Sequence, residues 1–324
     1  MAWANRRYKA IIREKMLAKE SPNQSGSVTV SEFAKRSLNA RKRKDSTIKN
    51  YQSSLRTAIL PYFGKTRVKD ITPFNVREWM RSIEARKKGE YAIKTARAVF
   101  STILSDAMEE GIIERNPVKA TRPPTIERKD NRPFTLKEIG LLLDTAKDGQ
   151  FRDFLILSFF SGIRTGEALA LEWKHIDFEN KAICVRQTRS DGKITDPKSR
   201  SSVRDIDMLP IVEEALRRQY EQTGKKTGFV FLTQRGKPYR YITSMRDQWK
   251  RLLNKSEMEY RKIYTTRHTF ASVMLSEGEK PMWVSKTMGH KSLAITLNAY
   301  ASYVPREREK HAEFLNDFFG LGEG

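Results

Sequence analysis

A chain of 324 residues has room for two domains, and 38% apolar with 10% aromatic residues is enough to fill real cores, which excludes a wholly disordered protein. With 62 Lys and Arg against 39 Asp and Glu the net charge is +23, an excess that favours a polyanionic partner, nucleic acid being the commonest. No apolar run approaches the roughly 18 residues of a membrane span. The opening residues carry no secretory core, the single Cys184 excludes an intrachain disulfide, and the four histidines show no zinc-ligand spacing, so a cytoplasmic protein without structural metal is expected.

Residues 1–20 are basic and helical in composition, either a DNA-touching arm or a solvated terminal helix, and Ser21 to Ser27 is a linker by its turn residues. From Val28 to about Ala120 every apolar pattern is helical. Ile48, Tyr51, Leu55 and Ile59 form one stripe, ended by Pro61 and Gly64. Thr72 caps a helix that opens on Pro73 and carries Val76, Trp79, Met80 and Ile83. A third helix, about 91–110, carries Ala92, Ala96, Val99, Ile103 and Ala107 and stops at Gly111. Three basic groups punctuate this bundle: Arg41, Lys42, Arg43 and Lys44; Arg86 to Lys88; and Lys94 with Arg97. Any one of them reads as a solvated face; three in one bundle point to backbone phosphates.

Residues 121–133, with Pro123, Pro124 and Pro133, read as a stiff strap between the bundle and a second domain over 134–306. That domain opens with a capping box, Thr135 and Glu138, ahead of Ile139, Leu142 and Leu143. Phe151 to Phe160 reads as a buried helix. Strand signals follow at Ala182 to Val185, a hairpin turn at Asp191-Gly192, a strand over Val203 to Met208 and another over Phe229 to Leu232. Helices are expected at about 210–220, 241–256, 265–277, 281–288 and 293–302, and in a tail with Phe314, Leu315 and Phe318. The class is a helical bundle plus a mainly helical α+β domain with a small antiparallel sheet.

Several residues of this second domain suit phosphate chemistry. Arg164 lies in a turn between Gly162 and Gly166 at a helix start, where free N–H groups favour anions, although the same pattern serves as ordinary turn chemistry. Glu167, three residues on, either orients Arg164 or makes a plain surface pair. Tyr264, Arg267 and His268 share one helical face, with Phe270, Val273 and Met274 as the buried stripe, so Arg267 is expected to project from the edge of a packed helix. His290 follows Gly289 at a helix end, and Tyr300 and Tyr303 offer competing hydroxyls. Two guanidiniums can hold a phosphate while a tyrosine hydroxyl attacks phosphorus. A rival pair, Asp205 and Asp207, alternates on one strand face and would suit a metal-dependent nuclease or simply an exposed sheet surface.

Jointly, Ser161-Gly-Ile-Arg164-Thr-Gly-Glu167, Pro197-Lys198-Ser-Arg-Ser-Ser-Val-Arg204, Arg267-His-Thr-Phe-Ala-Ser272 and Met288-Gly-His290 through Tyr300 resemble the tyrosine recombinases, the phage-integrase family. The likeness covers about residues 28–310. It implies a SAM-like core-DNA-binding bundle, with Leu60 to Gly64 and Asp70 to Pro73 as its marks, joined to the family's catalytic fold. It also implies site-specific cutting and rejoining of DNA through a 3′-phosphotyrosine, without cofactor. By position, Arg164 and Arg267 grip the scissile phosphate, Lys198 protonates the leaving 5′ oxygen with Lys193 as its competitor, His290 hydrogen-bonds the phosphate, Tyr300 attacks, and Glu167 and His268 support. One departure stands out: the family usually has histidine three residues before the second arginine, where this chain has Tyr264. A phenol, titrating near about 10, cannot cycle a proton at neutrality as imidazole does. The implied partners are double-stranded attachment sites, a tetramer of the chain on DNA with residues 307–324 docking onto a neighbour, and accessory DNA-bending or directionality factors. The family's arm-binding domain would be missing or reduced to residues 1–27. A non-catalytic DNA-binding regulator and a type IB topoisomerase are the other classes that fit a basic two-domain chain.

Overall fold

The computed structural model describes residues 28–304 apart from 41–44, 86–89, 124, 126–131, 148, 191, 197–199 and 227. Two compact units meet in sequence between residues 129 and 130, inside the Pro-rich strap.

In the first unit, Thr29 and Glu32 cap helix α1 (Val30–Ala40) reciprocally: the Thr29 hydroxyl accepts from Glu32 N–H at 3.3 Å, and Glu32 accepts from Thr29 N–H at 2.9 Å. Helix α2 (Asp45–Ser54) runs on through a π-helical turn, Leu55–Ile59, into a last α turn, Leu60–Phe63. Of the two residues expected to end this helix, Pro61 does not, and Gly64 does, as its C-cap. Leu60 N–H reaches back to the Leu55 carbonyl, and this widened turn precedes a proline that has no N–H to give the helix ladder. Helix α3 (Pro73–Ala85) starts as expected, with Thr72 and Asn75 capping each other, and buries Val76, Trp79 and Ile83. In α4 (Glu90–Glu109) the buried stripe is Ile93, Ala96, Val99, Phe100, Ile103, Leu104 and Ala107; Ala92 faces out. Gly111, at φ +74°, lets the chain turn left so that Ile112 N–H bonds to the Ala107 carbonyl at 3.0 Å and ends the helix. Phe63, Trp79 and Phe100 meet at 4.9–5.8 Å in the centre, and Trp79 Nε1 donates to the Ala58 carbonyl at 2.8 Å.

In the second unit, Thr135 and Glu138 form the expected capping box of α5 (Leu136–Ala146), and α6 (Gln150–Phe160) is buried along its length. After the short helix α7 (Thr165–Ala168) come β1 (Ile176–Asp177), β2 (Ala182–Val185), β3 (Thr188–Ser190), β4 (Lys193–Thr195) and β5 (Arg204–Asp207). The sheet is antiparallel in the order β1-β2-β5, with Ile183 opposite Ile206. The Asp191-Gly192 hairpin does not join β2 to β5. It closes a separate ribbon, β3 against β4, inserted between them. Phe229 to Leu232 is not a strand but touches neighbouring chain only at isolated bridges. Its Val230 carbonyl is taken by the side chains of Gln219 and Thr223, each at 2.8 Å, so no ladder forms there.

Helices α8 (Pro210–Thr223) and α9 (Thr243–Lys255) close the main core around Phe134, Phe154, Phe159, Phe231 and Trp249. Helices α10 (Thr265–Ser276), α11 (Pro281–Met288) and α12 (Leu293–Tyr300) build a smaller one from Phe270, Ala271, Leu275, Val284, Met288 and Tyr300. In α10 the buried set is therefore Phe270, Ala271 and Leu275, while Val273 and Met274 are half-buried. Thr265, Thr266, Arg267, Thr269 and Ser272 are buried too, so the helix is covered nearly all round. On β5, Asp205 and Asp207 face outward; Arg186 donates to Asp205 at 2.5 Å and Trp283 Nε1 to Asp207 at 2.7 Å. Among the described residues no cluster of His, Cys, Asp and Glu is placed to hold a metal ion, and no helix is long and apolar enough to cross a membrane.

Candidate active site

Gly162 makes the sharp turn after α6 at φ +61°, and a Cβ there would sit 2.6 Å from the Phe270 ring, so only glycine lets α6 and α10 approach this closely. The turn delivers Arg164 to the start of α7 and aims the Gly162 carbonyl at Arg267, whose Nη1 donates to it at 2.5 Å. Arg267 Nη2 donates to the Met288 carbonyl, also at 2.5 Å. Arg164 Nη2 reaches the adjacent Gly289 carbonyl at 3.4 Å. The two arginines, 103 positions apart in sequence, thus converge on the C-terminal end of α11.

Arg267 does not project from the edge of its helix. It is 1% exposed, and its Nε is buried with no hydrogen-bond partner among the described residues. Burial, and then the nearby Arg164, push its pKa down to about 10, which still leaves the guanidinium charged at neutral pH. A cation this dry, with a polar nitrogen unsatisfied, is costly alone and suits an incoming anion.

Glu167 supplies the balancing charge. It accepts from Arg164 Nη1 at 2.7 Å, from Arg164 N–H at 3.0 Å and from Arg204 Nη2 at 3.0 Å. Burial raises its pKa, but the guanidiniums of Arg204 and Arg164 outweigh this and hold the carboxyl below its usual range. Glu167 is thus a buried brace between two arginines rather than a surface pair.

Arg204 was visible in the sequence only as the end of a matched motif and carried no role. In the structure it is a buried strut: Nε donates to the Thr287 carbonyl at 2.5 Å and Nη1 to the Ser202 carbonyl at 3.1 Å, tying β5 to α11 and to Glu167. Strand alternation was the available signal, since it places Arg204 on the buried face with Ile206.

Gly289 ends α11 in the left-handed conformation, φ +65°, and passes so close to the strut that a Cβ would lie 2.7 Å from the Ser201 carbonyl oxygen. His290 follows, its Nδ1 2.8 Å from Thr296 Oγ1. Burial, then the Arg267, Arg164 and Arg204 charges, push its pKa down to about 4, so the ring is neutral at pH 7. With the Thr296 hydroxyl donating, Nε2 carries the proton and is a hydrogen-bond donor.

Tyr300 ends α12 and is 4% exposed. Burial raises its pKa, with Arg267 pulling the other way. Its Oη lies 2.5 Å from Nδ1 of His268. Tyr264 also stands edge-on to His268 at 5.1 Å between ring centres, with His268 to Tyr300 at 5.7 Å. Tyr264 itself is 44% exposed at the start of α10. Tyr303 follows in a 3-10 turn, Ala301–Tyr303, and is near enough to Tyr300 to raise its pKa.

The site thus unites Arg164, Glu167, Arg267, His268, His290 and Tyr300, with Tyr264 at its rim. Lys198 lies outside the described residues, as do Arg41, Lys42, Arg43, Lys44 and the 307–324 tail; Lys193 is exposed on the ribbon. In the first unit Lys94 is exposed, whereas Arg97 is half-buried, with Nη2 donating to the Val118 and Thr121 carbonyls at 2.8 and 2.7 Å. That bond set makes Arg97 a clasp for the chain after α4.

Residues 133–306 match the phage integrase family, and residues 28–123 match the phage integrase central domain. Among curated proteins the chain is 27% identical to the tyrosine recombinase XerC-like of Caldanaerobacter subterraneus subsp. tengcongensis, over 86% of this chain and 79% of that one. It is 23% identical to the ICEBs1 integrase of Bacillus subtilis, covering 85% and 78%. Prophage integrase IntR of Escherichia coli is 26% identical, and there the chain spans 59% of the relative's length. Among solved structures, Tn1549 transposon integrase in complex with a circular intermediate DNA superposes with a TM-score of 0.77 at 22% identity, over 91% of this chain and 99% of that one. Lambda integrase in a tetramer bound to a Holliday junction gives 0.70 at 20% identity, over 89% and 81%. Two successive family segments, falling in the two units of the structure and accounting for most of the chain, place this protein in the phage integrase family, the tyrosine recombinases.

Proposed function

We propose that this chain is a site-specific DNA recombinase that cuts one strand with Tyr300, holds it as a 3′-phosphotyrosyl ester and rejoins it to a 5′ hydroxyl. The observation that carries this reading is the meeting of Arg164, Arg267, His290 and Tyr300 around the end of α11, from four separate chain segments. The scissile phosphate would sit against the two guanidiniums. As Tyr300 Oη bonds to phosphorus and the bond to the 5′ oxygen breaks, charge grows on the equatorial oxygens, and the preorganised cations oppose it. His290, neutral, would donate from Nε2 to one of those oxygens. Lys198 would give its proton to the departing 5′ oxygen. The ester keeps the energy of the broken bond, so rejoining requires no nucleotide cofactor.

The substrate we infer is a pair of double-stranded attachment sites of a phage or other mobile element, exchanged within a tetramer of this chain in a bacterial host. The 307–324 tail would link protomers, and accessory bending or directionality factors would set the outcome. Over 28–120 the bundle would grip backbone phosphate through Arg41, Lys42, Arg43, Lys44 and Lys94, with 134–306 as the catalytic domain.

The deciding experiment traps the reaction on a nicked suicide duplex and identifies the modified residue by mass spectrometry. A nucleotide attached at Tyr300, lost in Tyr300→Phe, is expected; strand exchange by Tyr300→Phe refutes the reading. Loss of Arg164 should slow cleavage by about 10²–10³-fold, and a change in KM alone would contradict its role at the transition state.

A further inference from the structure

We propose that His268 is the proton acceptor for Tyr300: the phenol O–H donates to Nδ1, and the proton crosses to the imidazole as Oη bonds to phosphorus. This rests on the phosphotyrosine reading above and supplies a base that Tyr264, at the position where the family usually has histidine, cannot provide.

The geometry comes first. His268 Nδ1 is 2.5 Å from Tyr300 Oη, within reach of direct proton transfer without an intervening water. Buried Tyr300 resists ionisation, so it needs a base at contact distance to become a nucleophile. His290, Tyr264 and Tyr303 are also nearby, and none serves, Tyr303 because it is a second phenol. His290 has its Nδ1 engaged with Thr296 and feels three guanidiniums, which leaves it a very weak base. Tyr264 meets His268 ring to ring, and a phenol does not accept a proton at neutrality.

The groups around His268 set when it can act. Arg267 precedes it on α10, Tyr264 stands at the start of that helix, Tyr300 faces it from α12, and His290 lies close enough to feel its charge. Burial and then Arg267 hold His268 below its usual pKa, so it is neutral and able to accept, while an imidazolium beside Arg267 is disfavoured in the free protein. A phosphate bound against Arg267 offsets that charge and makes the imidazolium tolerable. Proton transfer is thereby coupled to DNA occupying the site.

The step balances. The O–H bond of Tyr300 breaks and an N–H forms on His268; Oη bonds to phosphorus; the bond from phosphorus to the 5′ oxygen breaks, and that oxygen takes a proton from a separate donor, Lys198 in the reading above. On rejoining, the 5′ hydroxyl attacks and gives its proton back to that same donor, Lys198 in the reading above, while the bond from phosphorus to Oη breaks and His268 returns its proton to Oη.

The test compares the parent, His268→Asn and Lys198→Ala on a suicide duplex and on the same duplex with sulfur replacing the bridging 5′ oxygen. Sulfur leaves without protonation, so it relieves loss of the acid but not loss of the base. His268→Asn keeps a polar group of similar size but cannot carry the proton. It should cleave about 10²–10³-fold more slowly than the parent at saturating DNA, with DNA affinity unchanged, and stay slow on the sulfur substrate, where Lys198→Ala recovers. Burial and Arg267 hold the imidazole below its ordinary range, so parent cleavage should fall on an acid limb that lies below the ordinary histidine range, and that limb should vanish in His268→Asn. Should His268→Asn not fold, added imidazole restoring cleavage to His268→Ala or His268→Gly is the equivalent result. Asparagine cleaving within threefold of the parent, or recovering on sulfur like Lys198→Ala, overturns the proposal and leaves His268 a positioning residue. A parent that forms no adduct at Tyr300 overturns the phosphotyrosine reading itself, a distinct outcome.

Discussion

Glu167→Gln tests the electrostatic frame of the site. The substitution keeps size and one acceptor oxygen, so the Arg164 N–H can still be satisfied, but it removes the anion that faces Arg204 and Arg164. The Arg204 partnership is dry, with side chains 5% and 2% exposed, and breaking one side of such a pair costs about 3–5 kcal/mol. The Arg164 partnership adds less, because that side chain is 32% exposed and water screens it. Taking the lower figure of about 3 kcal/mol, at about 2–4 °C per kcal/mol for a unit of this size, the melting transition of the second unit should fall by roughly 6–12 °C. Calorimetry of the full chain reads this directly, and the transition of the first unit should not move. The pH dependence has a definite sign. The folded carboxyl holds its proton less tightly than the unfolded one, so its stabilisation is present above the unfolded pKa and is lost as pH falls through the lower folded value. Glu167→Gln should erase that acid-side loss, and bound DNA, whose phosphate substitutes for the missing anion, should stabilise the variant more than the parent. A variant melting within about 2 °C of the parent, below the roughly 2–4 °C expected of a single kcal/mol, would refute the idea that Glu167 neutralises the buried arginines.

Three further outcomes are expected. Tyr264→Phe keeps the ring packed on His268 and should cleave within about threefold of the parent, whereas Tyr264→Ala removes that support and should lose at least about 10-fold, a difference of about 1.4 kcal/mol, in single-turnover assays. Gly289→Ala forces a Cβ into the left-handed region and against the Ser201 carbonyl, so the second unit should lose more than about 1–2 kcal/mol in a denaturant titration. Trp79→Phe keeps most of the aromatic packing but leaves the Ala58 carbonyl without its donor, costing about 1–3 kcal/mol in the first unit; Trp79→Ala should cost about 3–5 kcal/mol.

Local pattern carried far along this chain. The Thr135–Glu138 capping box, the Thr72 cap before Pro73 and the Gly111 stop all depend on residues within a few positions of one another, and the structure has each where the pattern puts it. The expectations that failed depend on how side chains and helices pack together, which composition along the chain does not state. Phe229 to Leu232 has the composition of a strand, but its carbonyl at Val230 is claimed by α8 side chains. Pro61 has the chemistry of a helix end, yet packing of Leu55, Ile59 and Phe63 into the bundle keeps the helix going past it.

For the site, residue types and order were enough to nominate Arg164, Glu167, Arg267, His290 and Tyr300, because phosphate chemistry admits few side chains and the motifs around them are specific to one family. The sequence by itself nominated the residues proposed for this chemistry and marked the elements that carry them. Only the tertiary structure decided that Arg267 is buried rather than at an edge, that Arg204 joins Glu167 beneath the two arginines, and that Tyr300 Oη meets Nδ1 of His268. Capping and periodicity act over three or four residues and can be read along the chain. Burial and charge pairing depend on what comes into contact from 32 to 105 positions away, and those contacts exist only once α6, α10, α11 and α12 have packed.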